Sequence, residues 1–223
     1  MNFIVRKGYD IFRWYIRTNL HLSYDFRVWG AENIPEQPNI YCSNHFSSAD
    51  PYFAMTLMKE PVHMIIGSAW SLPVASIFLK ISQQINAYGE KRKTAVRDAV
   101  QWLEQGESVY VFPEGELGDQ LGLQHFYAGM ARIYLQNPVP IIPIGLVAPR
   151  RYVKTKDVEY GNVFFHRLFV ASKYYYANIG EPMRFPEIEK WEDKRAAEKE
   201  ITRLVKERVS FLIDDIKESK FWQ

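Results

Sequence analysis

The stretch SNHFSSAD, residues 43–50, places a histidine and an aspartate five positions apart, His45 and Asp50. An imidazole suits general-base catalysis at neutral pH because its ordinary pKa is about 6.5. A carboxylate bonded to one ring nitrogen fixes the tautomer and stabilises the imidazolium that forms when the other nitrogen takes a proton. Taken alone, however, the two residues fit a polar loop that closes a strand better than a catalytic dyad, with Asp50 as the N-cap of the next helix.

Two further polar segments also follow apolar runs. FPEG, residues 112–115, begins at the last residue of SVYVF, and its proline and glycine turn the chain sharply around Glu114. The turn places a carboxylate and backbone N–H groups at a strand end, where they would receive a hydroxyl-bearing substrate or simply form a polar turn. The third segment, APRR at residues 148–151, follows IIPIGLV and offers less chemistry than the other two.

Cys42 lies three residues before His45 and is the only cysteine of the chain. Residues three apart in a strand point to opposite faces, and the apolar context IYC favours a buried, inert thiol. We therefore expect no Cys–His nucleophile. The remaining histidines show no spacing typical of a zinc site, so no metal is expected.

Alternating strands and helices must position these segments. Strands are predicted at YDFRVWG, NIYCSN, ISQQINAY and SVYVF, and helices are predicted from Asp50, over residues 91–105 with Gly106 just past the end, and over residues 129–136. VPIIPIGLVAP is predicted to be a strand broken by two prolines, Pro140 and Pro143, which suit a sheet edge or a bulge. RLFVASKYYYANIGEP is predicted to form a hairpin-like pair of strands. This order predicts an α/β fold with a central mixed, largely parallel β-sheet flanked by helices.

A long helix over residues 191–220 is predicted to close the fold, with one apolar face turned inward: Ile201, Leu204, Val205, Phe211, Leu212 and Ile216. At the other end, residues 3–20 form an amphipathic helix. Its predicted inner side carries Ile4, Gly8, Ile11, Phe12, Tyr15 and Ile16, and its outer side Arg6, Asp10, Arg13 and Arg17. The pattern fits a helix packed on the domain and a helix docked on an anionic membrane equally well.

Size and charge limit the possible classes of protein. With 223 residues, 47% of them hydrophobic, one globular domain is the favoured count, and a net charge of +2 is too small to indicate a nucleic-acid partner. A single cysteine fits a reducing compartment, which makes a cytoplasmic location the default. Charges near the N-terminus leave no apolar core for a signal peptide. The uncharged segment 61–79 is interrupted by polar residues, which favours a buried or interfacial helix pair over a membrane span.

Together the segments are more specific than any one of them. The order NHFSSAD, FPEG, VPIIPIGL resembles the glycerolipid acyltransferase family, whose lysophosphatidate acyltransferases carry N-H-x-x-x-x-D and F-P-E-G blocks. The similarity runs from about residue 26 to residue 182. It implies acyl transfer from a coenzyme A or acyl-carrier-protein thioester to a lipid hydroxyl, with the thioester as co-substrate and no resident cofactor. In this family pattern His45 is the general base, Asp50 orients it, and Asn44, Phe112, Pro113, Glu114 and Gly115 form the substrate site.

The sequence departs from the family where the acceptor phosphate would bind. Lysophosphatidate-type members place one arginine after the strand that precedes the F-P-E-G helix and a second in F-P-E-G-T-R-S, whereas this chain has Tyr88-Gly89 and then Glu116-Leu117. A carboxylate there would repel a phosphate dianion. Lys91 and Arg92 are candidate substitutes. A lysophospholipid, a glycolipid and a long-chain alcohol therefore all compete with lysophosphatidate as acceptor.

The expected protein is a peripheral, monotopic O-acyltransferase on the cytoplasmic side of a membrane, with a membrane surface, an acyl thioester and a lipid acceptor as partners and no nucleic acid. The expected organisation is one acyltransferase domain over 1–223: a docking helix at 1–22, a catalytic core at 23–190 and the closing helix at 191–220. Two rival functions remain: a thioester or lipid hydrolase in which His45 activates water, and a lipid-binding module without turnover.

Overall fold

The computed structural model describes residues 3–36, 38–117, 122–160, 163–171, 173–220 and 222. The described helices are α1 (Phe3–Ser23), α2 (Asp50–Leu57), α3 (Pro73–Ile81), α4 (Ala95–Glu104), α5 (Gly129–Gln136), α6 (Pro186–Glu189) and α7 (Lys194–Glu218). The described strands are β1 (Tyr24–Trp29), β2 (Ile40–Ser43), β3 (Val62–Ile66), β4 (Ile85–Asn86), β5 (Ser108–Val111), β6 (Ile141–Val147), β7 (Val153–Tyr160), β8 (Val163–Ala171) and β9 (Lys173–Ile179).

Seven of these strands form one sheet in the order β1-β9-β6-β2-β5-β3-β4. Its neighbours run parallel except for β6 and β9, which are antiparallel, and β7 with β8 forms a separate antiparallel pair. The predicted largely parallel, mixed α/β sheet is confirmed. All four residues of β2 and of β5 are buried, as expected for central strands covered on both faces.

Side chains alternate between two cores, one on each face of the sheet. Tyr41 and Tyr110 point to the face covered by α1 and α2, whereas Cys42 and Val111 point to the face covered by α4, α5 and α7. On this second face Gly145 of β6 is required by close packing, because a Cβ there would lie 2.8 Å from the backbone nitrogen of Ile213 in α7. Helix α7 therefore lies directly on β6, the strand that leads into APRR.

The prolines in and just before β6 were predicted to suit a sheet edge or a bulge. The edge alternative is wrong, because β6 is between β2 and β9, and a local irregularity of the ladder accommodates Pro143 instead. Pro143 accepts a hydrogen bond from the backbone nitrogen of Gly180, and next to it the pairing register with the β9 side shifts by one residue, from Ile144↔Ile179 to Ile141↔Met183. An irregular stretch of the ladder is where a residue without an N–H fits.

Several predicted elements need correction. The segment 167–182 is not a hairpin: β8 pairs with β7, while β9 crosses into the main sheet. Segment 61–79 contains β3, a 3-10 turn and α3 rather than two helices. The strand predicted at ISQQINAY is only β4, and the helix predicted over 91–105 begins at Ala95 after a 3-10 turn, Gly89–Lys93.

Both terminal helices turn some predicted inner residues outward. In α1, Ile11 and Tyr15 are exposed, while Arg13, predicted to lie outside, is partly buried and donates to the carbonyl oxygens of Met58 and Lys59. In α7, Phe211 is exposed, and Val209 and Ile213 are buried although they were not assigned to the inner face.

Within the described part of the chain, no helix is long and apolar enough to cross a bilayer.

Candidate active site

The three polar segments follow β2, β5 and β6, which are adjacent and parallel in the sheet. Carboxyl ends of parallel strands share one edge, where loops gather ligands and catalytic groups. The structure accordingly brings His45, Glu114 and Arg150 to the lining of one cavity of about 330 Å³. This volume is at the lower end of the range typical of small-ligand pockets.

His45 and Asp50 form a dyad across the turn between β2 and α2. The Nδ1 atom of His45 lies 2.8 Å from Oδ2 of Asp50. A carboxylate only accepts, so Nδ1 carries the proton and Nε2 keeps a lone pair. The structure records no partner for Nε2 among the described residues, and the ring borders the cavity. The geometry is that of a general base whose tautomer is fixed by a buried carboxylate.

Asp50 also organises the loop that carries the histidine. Its Oδ2 accepts from the backbone nitrogens of Phe46 and Ser47, at 2.8 and 2.9 Å. The predicted N-cap role of Asp50 is therefore wrong: Ala49 is the N-cap of α2, and Asp50 is the first helical residue, whose side chain reaches back into the preceding loop. Asp50 is fully buried, and these N–H groups compensate for the desolvation of its charge.

Tyr175 of β9 is a functional neighbour that the sequence analysis missed. Its hydroxyl donates to Oδ1 of Asp50 over 2.7 Å, and its ring stacks on Phe53 with a centroid separation of 3.5 Å. Burial, followed by the charge of Asp50, raises the pKa of Tyr175 well above its ordinary value, so the hydroxyl stays protonated and able to donate. No local signal marks it, because Tyr175 is 125 residues from Asp50 in sequence.

Glu114 is buried, and both of its carboxylate oxygens bind backbone N–H groups. Oε1 accepts from His45 at 2.8 Å and Oε2 from Gln124 at 3.0 Å. Burial raises the pKa of Glu114, and the two N–H groups oppose that rise. The geometry makes Glu114 a positioning residue for the histidine backbone, and its contact with the acceptor stays a prediction.

The other residues of the FPEG turn support the same loop. The Phe112 ring stacks on the imidazole of His45, with centroids 4.3 Å apart. Pro113 accepts from the backbone nitrogen of Tyr127 at 2.8 Å, and Gly115 has a φ of 72°, a left-handed conformation that favours glycine. Two of the predicted substrate residues, Phe112 and Pro113, thus contact protein groups that hold the site in place.

Asn44 links the histidine loop to β6. Its Nδ2 donates to the carbonyl of Leu146, and its Oδ1 accepts from the nitrogen of Leu146, both at 2.8 Å. The adjacent Ser43 accepts from the hydroxyl of Tyr110 at 2.8 Å. The loop is therefore attached to β5, to β6 and, through Asp50, to β9.

Cys42 is buried on the opposite face of β2, and burial raises its thiol pKa, in agreement with the expected inert cysteine.

Lys91 and Arg92, the candidate substitutes for the missing arginines, lie in the exposed 3-10 turn Gly89–Lys93. The Arg92 guanidinium lies 5.7 Å from the ring centroid of Tyr127, and that ring would contact a Cβ at Gly115. Arg92 is therefore adjacent to the FPEG turn, whereas neither residue lines the cavity beside His45. No group of three potential metal ligands occurs among the residues that the structure describes.

Comparisons with known proteins bear on the family and on the fold. A family model described as Acyltransferase matches residues 25–147, more than half of the chain. The chloroplastic 1-acyl-sn-glycerol-3-phosphate acyltransferase of Arabidopsis thaliana is 24% identical over 160 residues, which cover 67% of this chain and 45% of that protein. A 1-acyl-sn-glycerol-3-phosphate acyltransferase of Borreliella burgdorferi is 27% identical over 124 residues, 53% of this chain and 50% of the relative. The chain thus spans about half the length of the curated relatives it matches.

Among solved structures, the 1-acyl-sn-glycerophosphate acyltransferase PlsC from Thermotoga maritima superposes with a TM-score of 0.71 at 21% identity. The superposition covers 96% of this chain and 80% of that protein. At this identity the match concerns the fold, and it extends over α1 and α7 as well as the sheet.

Proposed function

Because the chain belongs to the acyltransferase family, we propose that it moves a fatty acyl group from an acyl-CoA or acyl-carrier-protein thioester to a hydroxyl of a lysophospholipid or related lipid acceptor. One observation carries the proposal: His45 borders the cavity and its Nδ1 bonds to the fully buried Asp50 at 2.8 Å. The similarity to 1-acylglycerol-3-phosphate acyltransferases supports a lipid hydroxyl as the acceptor.

In the proposed reaction Nε2 of His45 takes the proton of the acceptor hydroxyl as its oxygen attacks the thioester carbonyl. The tetrahedral intermediate then collapses, the carbon–sulfur bond breaks, and the imidazolium returns the proton to the departing thiolate. Asp50 stabilises the imidazolium between the two steps. A thioester is already activated, so aligning the two substrates and placing one base supply most of the required acceleration.

Mass spectrometry of reaction products tests this function. The protein is incubated with acyl-CoA, or with acyl-carrier protein, and a panel of lysophospholipids, glycolipids and long-chain alcohols. An acylated acceptor is the expected product. Free fatty acid without any acylated acceptor would instead identify a hydrolase, and binding of acceptor without turnover from either donor would identify a lipid-binding module.

For localisation we propose that α1 and α3 dock on the cytoplasmic face of a membrane. Both helices expose large apolar side chains to solvent: Ile11, Trp14, Tyr15 and Leu22 in α1, and Val74, Ile77, Phe78 and Ile81 in α3. The two helices are adjacent, since Phe12 stacks on Phe78 with ring centroids 6.4 Å apart. Aromatic and aliphatic residues beside the exposed cations of α1 are typical of a helix lying in the headgroup region. On this placement, α3 would border the entrance for the acyl chain.

Liposome flotation tests the docking face. We expect a Trp14→Ser, Ile77→Ser, Ile81→Ser variant to float less than the wild type, because the three side chains are 58–68% exposed and support no buried core. Phe211→Ser is the matched control, since Phe211 is an apolar residue of α7 with 57% exposure. Equal flotation of the triple variant and the wild type would reject α1 and α3 as the docking face.

A further inference from the structure

The lining of the cavity beside His45 includes two cationic side chains from segments other than the dyad and FPEG. Arg150 follows β6 in the APRR segment, and Lys217 lies in the last turn of α7, where it is joined by Asp214. These residues reach the site because α7 packs directly on β6 through the contact at Gly145. The two segments therefore add a charged wall to a cavity that also contains the histidine.

The charges of this wall are not equally available. Lys217 is 3.5 Å from Asp214, one helical turn away, so its charge is largely offset. Glu114 is occupied by the two backbone N–H groups described above. Arg150 is exposed and makes no ion pair with any described residue. Of the described cavity residues, Arg150 is thus the cation that is not already balanced.

Resting on the proposed acyl transfer, we propose that the acceptor is a lysophospholipid whose phosphodiester binds Arg150 in this cavity while its free hydroxyl lies at His45. A guanidinium donates two parallel hydrogen bonds to a phosphate, and one unbalanced cation matches the single charge of a phosphodiester. A phosphate monoester carries up to two charges, and no second unbalanced cation lines the described part of the cavity to offset the additional charge. The Lys217–Asp214 pair then offers charges of both signs to the headgroup beyond the phosphate.

This placement accounts for the departure from the family pattern. Lysophosphatidate-type enzymes have arginines at two positions. In this chain the first position is Tyr88 or Gly89, and the second is Leu117, which follows Glu116. The anion site is thereby moved from the FPEG side of the cavity to the β6–α7 side. Arg92, the candidate substitute on the FPEG side, stacks near Tyr127 and is not part of the cavity lining.

Steady-state kinetics with acceptors of one acyl length test the proposal. The acceptors are lysophosphatidylglycerol and lysophosphatidylethanolamine as diesters, lysophosphatidate as the monoester, and monoacylglycerol without phosphate. We expect Arg150→Ala to raise the KM for the diesters about tenfold to a hundredfold, which is the loss of a charge-assisted bond, and to change kcat/KM for monoacylglycerol little. Arg150→Lys should recover part of the loss because it keeps the charge without the fork.

Arg151→Ala is the matched control. Arg151 is adjacent and has the same charge, but it lies over the Tyr152 ring at 5.1 Å and does not line the cavity, so we expect less than about a threefold change. The proposal is overturned if Arg151→Ala has the same effect as Arg150→Ala, if Arg150→Ala affects monoacylglycerol and the diesters equally, or if the wild type prefers the monoester.

A binding measurement separates this proposal from the proposed function. If the wild type acylates no acceptor, acyl transfer fails, and titration calorimetry with short-chain lysophosphatidylglycerol below its micellar concentration then decides the anion site. Weaker binding by Arg150→Ala than by Arg151→Ala supports it, and equal binding by both variants with unchanged melting temperatures rejects it.

Discussion

The loop that carries His45 and the wall that carries Arg150 border the same cavity but are built in different ways. In and beside the loop, Asp50 and Glu114 are buried and accept six hydrogen bonds from side-chain and backbone donors. On the wall, Arg150 and Lys217 are exposed. The proposed base and its carboxylate partner are therefore held in place before any substrate arrives, whereas the groups that would recognise a headgroup remain free to adjust.

This difference explains how one chain can keep a family's histidine and aspartate while losing its arginines. A base must be aligned to within a fraction of an ångström, which requires neighbours from several strands. A single exposed cationic side chain can instead be supplied by a different loop, because the oxygens of a phosphate accept hydrogen bonds from many directions. The predictions below test whether the loop acts as one preorganised unit.

The largest effect is expected from His45→Ala. Removal of the base should lower turnover by about a hundredfold to ten-thousandfold, while the fold persists because the ring lies at the cavity surface. Initial rates of acyl transfer together with thermal melting measure both. His125→Ala, a nearby exposed histidine outside the cavity lining, should retain wild-type turnover. Unchanged turnover in His45→Ala would remove the assigned base.

Asp50→Asn is expected to lower turnover almost as far. An asparagine amide donates to Nδ1, which shifts the ring proton to Nε2 and blocks the lone pair that must take the acceptor proton. Residues that act as a unit are not additive, so the double variant with His45→Ala should be no slower than His45→Ala alone. A double variant clearly slower than both single variants would show that Asp50 acts independently of the histidine.

The dyad could be predicted from sequence because its parts are local. His45 and Asp50 are separated by one turn, and the order of three short segments was specific enough to outweigh the capped-loop interpretation of SNHFSSAD. The helix Gly129–Gln136 was also predicted with its observed bounds, because its apolar spacing and terminal residues agree.

The sequence-based predictions are wrong where contacts between residues far apart in the sequence determine the structure. Tyr175 reaches Asp50 only because β9 inserts between β1 and β6, a topology that no local pattern encodes. The same insertion places β6 inside the sheet and separates β9 from β8. In α1 both faces carry apolar residues, so amphipathicity alone did not reveal that Tyr9 and Arg13 face the protein while Trp14 and Tyr15 face solvent.

Tyr175→Phe should affect stability more than chemistry. The change deletes one hydroxyl and leaves Oδ1 of a fully buried carboxylate without its donor, so we expect the free energy of unfolding to fall by about 1.5–3 kcal/mol. Denaturant unfolding measures the loss. Tyr174→Phe, a less buried neighbour in β9, should cost little. If the two variants were equally stable, the hydrogen bond from β9 would contribute nothing to holding the loop.

The smallest effect is expected from Glu114→Gln. It is a gain in stability, whereas a simple loss of contacts would lower stability. Burial raises the pKa of Glu114 above its ordinary value of 4.5, so this group stabilises the fold most below pH 4.5 and loses that contribution as pH rises through the raised pKa. Gln is neutral at every pH. Below pH 4.5 the two proteins should have similar free energies of unfolding, and toward neutral pH the variant should become slightly the more stable.

Denaturant unfolding from below pH 4.5 to neutrality checks the direction, and a variant that is less stable than the wild type at neutral pH would contradict it. The expected gain in stability is informative because it would occur although a hydrogen bond is lost. Gln keeps one oxygen for the backbone nitrogen of His45 but none for that of Gln124. If turnover falls while stability rises, the buried charge of Glu114 is retained for alignment of the histidine loop at the expense of stability, as in other sites where function and stability conflict.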